Sequence, residues 1–317
     1  MPDKPWGVRS IPEIDSRYPL RDQPNFVRDV DEGRFYLPNA EEGKRETLIS
    51  TTIDARPIQC LRVTGPSFLT FWAALFTGGS FIFATFHFWW LALASGALAF
   101  VFLLTWIWTG TGTIPEKETK NVGLGLELPL YLSGPASAGW WAVFITMLGD
   151  MVAFVSLVFG YFFYWTVHED FVPQPAPGPG LFWPLLAAAL LVASWILTAL
   201  ARRWNAADRS GRYYLALLLG VGLSLAGTAA LLAGPWVTGL DPVSDVYPAI
   251  VWVLVIWTAL HVGIGALMQL YCVARRIAGR MSARHDAEIT NTLLFWHFLG
   301  ITVVATVAVI AGFPLLA

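Results

Sequence analysis

Long apolar segments alternate with short polar ones along the chain from residue 67 onward. We predict membrane-spanning helices for these segments, at residues 67–86, 89–110, 138–166, 181–202, 212–234, 247–274 and 289–314. Each reaches the roughly 20 residues that a helix needs to cross about 30 Å of hydrocarbon. The pattern therefore predicts an all-α membrane protein with seven transmembrane helices.

The connections between these helices divide the chain into four parts. The first two helices share a very short turn and form a predicted helical hairpin at residues 67–110. A longer polar loop covers 111–137, and five helices with shorter connections form a predicted bundle at 138–317. Residues 1–66 are Pro-rich and of mixed charge, so we predict an N-terminal cytoplasmic arm, extended and ordered against a partner or partly disordered.

All twenty Lys and Arg residues fall on one side of this arrangement. Ten precede residue 63, and the connections around 86–90, 166–181 and 235–247 contain none. Because cytoplasmic loops retain Lys and Arg, the asymmetry predicts a cytoplasmic N-terminus and a C-terminus on the opposite side. The other ten lie in three loops, at Lys117, Lys120, Arg202, Arg203, Arg209, Arg212, Arg275, Arg276, Arg280 and Arg284.

Composition agrees with immersion in lipid. The chain is 56% hydrophobic and 13% charged, whereas soluble domains carry roughly 25% charged residues. Its net charge of −2 argues against a nucleic-acid partner. The 16 Trp residues concentrate near span ends, as interfacial anchors do.

Few ionisable residues lie deep within the predicted spans. Asp150 is the acid near a helix centre, and His261 and His297 are the deeply placed imidazoles. An intramembrane carboxylate costs about 2.5–3.5 kcal/mol, so it faces protein, water or a polar lipid group. Asp150 is either a packed acid bonded to a neighbouring helix or a group that binds lipid or supports a proton path. The same alternatives, packing or function, hold for both histidines.

Motifs that bind redox cofactors are missing from the sequence. It has no C-x-x-C-H haem attachment site, no paired cysteines for copper and no helix with two suitably spaced histidines. Cys60 and Cys272 lie far apart in sequence, which argues against a disulfide framework. We therefore expect no metal and no redox centre in this chain.

Three segments from Gly134 onward resemble subunit III of the haem–copper cytochrome c oxidases. The third span, GWWAVFITMLGDMVAFVSLVFGYFF, places Asp150 where that family usually has Glu. The sixth span, TALHVGIGALMQL, is similar to the family's T-G-x-H-x-x-H-V-x-x-G signature, with His261 retained and the earlier His absent. The seventh, NTLLFWHFLG, matches Y-W-H-F-V-D at Trp296, His297 and Phe298, with Gly300 in place of the Asp.

The N-terminal part of the chain resembles the region after the twelfth helix of subunit I in oxidases whose subunits I and III are fused. Pro5-Trp6-Gly7, RETLISTTIDARP and the following hairpin carry this likeness. The chain therefore looks like the detached subunit III half of such a polypeptide.

The resemblance implies a non-redox subunit of a respiratory oxidase that couples oxygen reduction to proton pumping. Its partners would be catalytic subunit I, subunit II and other respiratory subunits, which hold the haem and copper, in a bacterial plasma membrane with the C-terminus periplasmic or extracellular. Its ligand would be structural phospholipid, held in a cleft between the two-helix hairpin and the five-helix bundle. Lipid binding or proton-path support would fall to Asp150, His261, Trp296 and His297, and headgroup contacts to Arg202, Arg203, Arg275 and Arg276.

The sequence is also compatible with other functions. The chain could be the third subunit of a quinol oxidase or nitric oxide reductase, or a structural scaffold of a supercomplex. A transporter or proton channel using Asp150 is a further alternative, although the spans show no clear internal repeat and no central Pro.

Overall fold

The computed structural model divides the chain into two compact units. One is Met1–Leu132 and the other is Ser133–Ala317, so the division falls inside the predicted 111–137 loop. The structure describes residues 16–32, 45–65, 67–110, 113–122, 125–168, 171–172 and 178–315. Parts of the Pro-rich arm (residues 1–15, 33–44 and 66) and of the connection after the third predicted span (169–170 and 173–177) lie outside these residues.

Long apolar helices dominate the fold, which is that of a multi-pass membrane protein. Six of the seven predicted spans reach membrane-crossing length, while the 17-residue helix α3 is shorter; a crossing at 67–86 stays a prediction. After the last span's α-helix, the apolar run continues as a π-helical turn at Ala308–Gly312 and a 3-10 turn at Phe313–Leu315. The helices are α1 (Pro19–Asp22), α2 (Phe26–Asp31), α3 (Leu69–Thr85), α4 (Trp89–Gly110), α5 (Ala138–Val167), α6 (Phe182–Ala206), α7 (Ser210–Val237), α8 (Val246–Ile277) and α9 (Ala287–Val307).

The first unit contains two β-hairpins that the sequence pattern did not predict. Strands β1 (Arg45–Ser50) and β2 (Pro57–Val63) pair antiparallel, as do β3 (Thr119–Asn121) and β4 (Glu127–Pro129). The segment predicted as an extended arm thus ends in regular structure, in strands that contain the β-branched residues Thr47, Ile49, Ile58 and Val63.

A small core joins the two hairpins. It consists of buried Cys60, Val122, Leu128 and Leu130. Burial raises the pKa of the Cys60 thiol to about 11, so it stays a neutral thiol at physiological pH and is a poor nucleophile. The neighbouring Glu46 carboxylate, 2% exposed, is neutralised by ion pairs with Arg62 and Lys120.

Within the same unit, α3 and α4 pack along small residues. The Ser80 hydroxyl donates to the Ala92 carbonyl at 3.0 Å, and Ser95 donates to Phe76 at 2.8 Å. A Cβ atom on Gly79 would lie 2.7 Å from the Ser95 hydroxyl. The absence of that atom allows the close helix contact typical of membrane helices.

In the second unit, α9 is the most enclosed helix, with 61% of its span buried against 11% for α5. It packs on α5, α6 and α8, while α7 packs on α6 and α8. Aliphatic and aromatic side chains fill the spaces between these helices. The fold therefore places the motif of the seventh span at the centre of the bundle and leaves much of α5 uncovered in this chain.

A polar junction ties α6, α7 and α8 together. The Gln269 amide donates to Thr198 at 2.7 Å and to Ser194 at 3.1 Å, and the Ser194 hydroxyl donates to the Gly220 carbonyl at 2.8 Å. All three side chains are fully buried. Hydrogen bonds of this kind hold membrane helices together where hydrophobic burial provides little driving force.

Candidate functional site

Asp150 and His261 meet between α5 and α8. The distance from Asp150 Oδ2 to His261 Nε2 is 3.8 Å, within ion-pairing range but longer than a hydrogen bond. The His261 side chain is 15% exposed and the Asp150 side chain 37%. The structure thus brings together two of the four residues expected to bind lipid or support a proton path.

Aromatic rings hold the imidazole in place. The His261 ring stacks on Trp257 with centroids 3.8 Å apart, and Trp257 in turn contacts Phe154 on α5. His261 Nδ1 lies 2.8 Å from the backbone carbonyl of Trp257. Because a carbonyl oxygen can only accept, Nδ1 is the donor in this bond.

That hydrogen bond determines how His261 faces Asp150. With the proton on Nδ1, the Nε2 atom of a neutral ring presents a lone pair to the carboxyl group. Attraction then requires one more proton, carried either by Nε2 as imidazolium or by Asp150 as carboxylic acid. The pair can therefore hold a single proton next to the partly exposed face of α5.

His297 lies elsewhere and has a different partner. The Trp195 indole on α6 donates from Nε1 to His297 Nδ1 at 2.9 Å. Because Nδ1 accepts this bond, the proton of a neutral His297 is on Nε2. The residue is exposed, so its free N–H edge is available at the bundle surface.

Gly300 makes this contact possible. Any Cβ atom at position 300 would overlap the six-membered ring of Trp195. The indole therefore occupies the space beside α9 that a side chain at position 300 would need. Trp195, which no sequence motif singled out, is what turns His297 into a defined hydrogen-bond donor.

Trp296 is a packing residue in this chain. It is 1% exposed, and its indole donates to the Gly265 carbonyl at 3.3 Å. A Cβ atom on Gly265 would meet Leu299 Cδ1 at 2.6 Å, so the glycine admits both side chains. Trp296 therefore joins α8 to α9 and has no surface for a lipid within this chain.

Two of the four predicted headgroup arginines are already paired inside the protein. Arg275, 2% exposed, contacts Glu288 at 2.9 Å, and its Nη2 also donates to the Arg280 carbonyl. Arg276 contacts Asp208 at 2.5 Å with a side chain only 8% exposed. Both guanidinium groups are thus engaged with carboxylates of this chain, and a headgroup contact by either one stays a prediction.

Arg202 and Arg203 are exposed at the same end of the bundle. Arg202 also donates from Nε to the Thr290 hydroxyl at 3.2 Å, which ties it to α9. The exposure that a headgroup contact requires is thus present at these two positions. Among the residues that the structure describes, no group of three or more His, Cys, Asp or Glu could hold a metal ion.

Comparison with known proteins supports the likeness that the motifs indicate. No protein-family model matches the chain. Over 152 residues the chain is 26% identical to cytochrome c oxidase subunit 3 of Petromyzon marinus. The chain is therefore similar in sequence to cytochrome c oxidase subunit 3. The matched segment is 44% of this chain and 58% of that subunit 3, so the chain spans little more than half the length of this relative.

Proposed function

We propose that this chain is an accessory, non-redox subunit of a respiratory cytochrome c oxidase, similar to subunit III. The sequence similarity to cytochrome c oxidase subunit 3 is the observation that carries the proposal. The haem and copper would reside in catalytic subunits I and II, and this chain would stabilise subunit I and hold structural phospholipid. It would lie in a bacterial plasma membrane with its N-terminus in the cytoplasm, as the Lys and Arg distribution favours.

The uncovered surface of α5 supports a role beside another subunit or bound lipid. Asp150 is partly exposed on this helix, and a carboxyl group facing plain hydrocarbon is costly. His261 offsets part of that cost from one side. A polar lipid group or a neighbouring subunit would contact the other side, and in the complex the pair would support proton uptake.

The test is to replace Asp150 in the assembled complex. Asp150→Asn keeps the size of the side chain but removes its ability to hold a proton or a negative charge. We expect normal assembly, weaker lipid retention and faster inactivation during turnover, measured as the decay of oxygen consumption.

Ser156→Ala is the matched control on the same helix. Ser156 is exposed and its hydroxyl donates to the Val152 carbonyl of its own helix, so its loss should leave lipid content and turnover lifetime unchanged. Unchanged lipid content and lifetime in Asp150→Asn as well would limit Asp150 to packing. Loss of the complex's assembly would instead point to a structural role.

A further inference from the structure

We infer a phospholipid-binding site on the seam between α6 and α9, formed by Arg202 and His297 and shaped by Trp195. This inference deepens the proposed lipid-holding role and rests on it. It concerns a different surface from the Asp150–His261 pair, since the seam involves α6 and α9 rather than α5 and α8.

Two hydrogen bonds define the seam. Trp195 donates to His297 and Arg202 donates to Thr290. On each helix the two residues are seven positions apart, which is two turns or about 10 Å. The contacts therefore lie one above the other along a single line between the helices, with Arg202 nearer the helix end.

Arg202 and His297, the two residues that would bind the lipid, are both hydrogen-bond donors and both exposed. Arg202 carries a permanent positive charge and binds phosphate oxygens well. His297 presents its Nε2–H outward because Trp195 occupies Nδ1. A phospholipid offers acceptors in the matching order, with a charged phosphodiester at the surface and ester carbonyls deeper in the membrane.

Apolar residues continue the same line towards the membrane centre. Ile301 and Val304 follow His297 on α9 and are 56% and 50% exposed. An acyl chain could lie along them and against the Trp195 ring, which Gly300 admits beside α9. The seam thus offers charge, a neutral donor and an apolar track, in the sequence that one phospholipid molecule requires.

The test is a titration of the purified full-length chain, with whatever subunits remain bound, by phosphatidylglycerol after detergent delipidation. Bound lipids are counted by native mass spectrometry. Arg202→Gln should weaken one site about fivefold, since a basic residue at the membrane surface contributes about 1 kcal/mol. Arg203→Gln, the exposed neighbour outside the seam, should leave that site unchanged.

Two further measurements distinguish the ligand and the role of Trp195. Inorganic phosphate at equal concentration should not displace the lipid; displacement would show a free-anion site and overturn the inference. Trp195→Phe should lower affinity about twofold and alter the ¹⁵N shifts of His297, because the indole N–H no longer fixes its tautomer.

Equal weakening in Arg202→Gln and Arg203→Gln would reduce the effect to general surface charge and contradict the seam. Cross-linking of position 301 to a protein subunit instead of lipid would also contradict it. The proposed oxidase role is tested separately, because the lipid titration does not require a haem-containing partner. The absence of such a partner would contradict that role and leave the titration unaffected.

Discussion

The two histidines of the bundle sit in similar sequence surroundings but in opposite chemical situations. His261 donates from Nδ1 to a backbone carbonyl and turns Nε2 towards Asp150. His297 accepts at Nδ1 from Trp195 and turns a donor towards the surface. One imidazole therefore faces a carboxyl group across 3.8 Å, and the other presents a donor N–H at the bundle surface.

The difference comes from which partner each imidazole meets, within its own helix for His261 Nδ1 and on another helix for His297 Nδ1. His261 is oriented by Trp257 of its own helix and faced by an acid from α5, 111 residues earlier. His297 is oriented by a tryptophan 102 residues away. The proton position of His261 is thus set within its own helix and that of His297 by a neighbouring helix, and the sequence motif around each histidine does not distinguish the two cases.

Trp296 and His297 offer the largest contrast, because adjacent residues face opposite environments. Trp296→Ala empties a fully buried site between α8 and α9, and we expect it to lower the free energy of unfolding by about 3–5 kcal/mol. His297→Ala, at an exposed position, should cost about 1 kcal/mol or less. Denaturant unfolding in detergent measures both, and equal losses would contradict the burial of Trp296.

Gly300 tests whether the position of the Trp195 indole beside His297 depends on a missing side chain. Gly300→Ala places a methyl group against the rigid Trp195 ring, and we expect a loss of about 2–3 kcal/mol together with displacement of the indole. Gly263→Ala is the control, because a Cβ atom there meets nothing within 4 Å. That variant should be neutral or slightly stabilising; a comparable loss would mean that helix glycines matter here for another reason.

Replacing His261 removes the contact between Asp150 and His261. His261→Phe keeps an aromatic ring beside Trp257 but leaves the partly exposed carboxyl group without its partner, which should cost about 1 kcal/mol. His297→Phe removes a partner from the half-buried indole of Trp195 at the bundle surface and should cost less. The same unfolding measurement compares them, and the reverse order would mean that the 3.8 Å contact with Asp150 contributes little.

The smallest and most specific effect is spectroscopic. In histidine-labelled protein, ¹⁵N spectra should show the Nε2–H tautomer for His297. His261 should appear as the Nδ1–H tautomer or as imidazolium. Assignment uses His261→Gln and His297→Gln. The same tautomer at both positions, with no imidazolium, would remove the distinction on which the comparison rests.

Sequence reasoning predicted the long helices well because membrane immersion imposes a simple rule. An apolar run of about 20 residues must be helical to satisfy its backbone polar groups, and six predicted spans have structural counterparts with ends shifted by at most a few residues. The β-hairpins at residues 45–63 and 119–129 were missed. Their strands are short, and their pairing depends on contacts that no local period reveals.

The candidate site was predictable only in part, for a related reason. Asp150 and His261 stood out as costly intramembrane polar groups, and the structure pairs them. The arginines were harder, because charge alone does not distinguish Arg275, buried against Glu288, from exposed Arg202. Trp195 was one of many tryptophans, and only three-dimensional contact with Gly300 and His297 gives it a role.

Purification of this chain from its native membrane, by an affinity tag and in mild detergent, tests the account most directly. We predict co-purification of larger subunits that contain haem and copper and that consume oxygen with reduced cytochrome c. Recovery of the chain without any haem-containing partner, from membranes whose oxidase remains fully active, would contradict the proposed function.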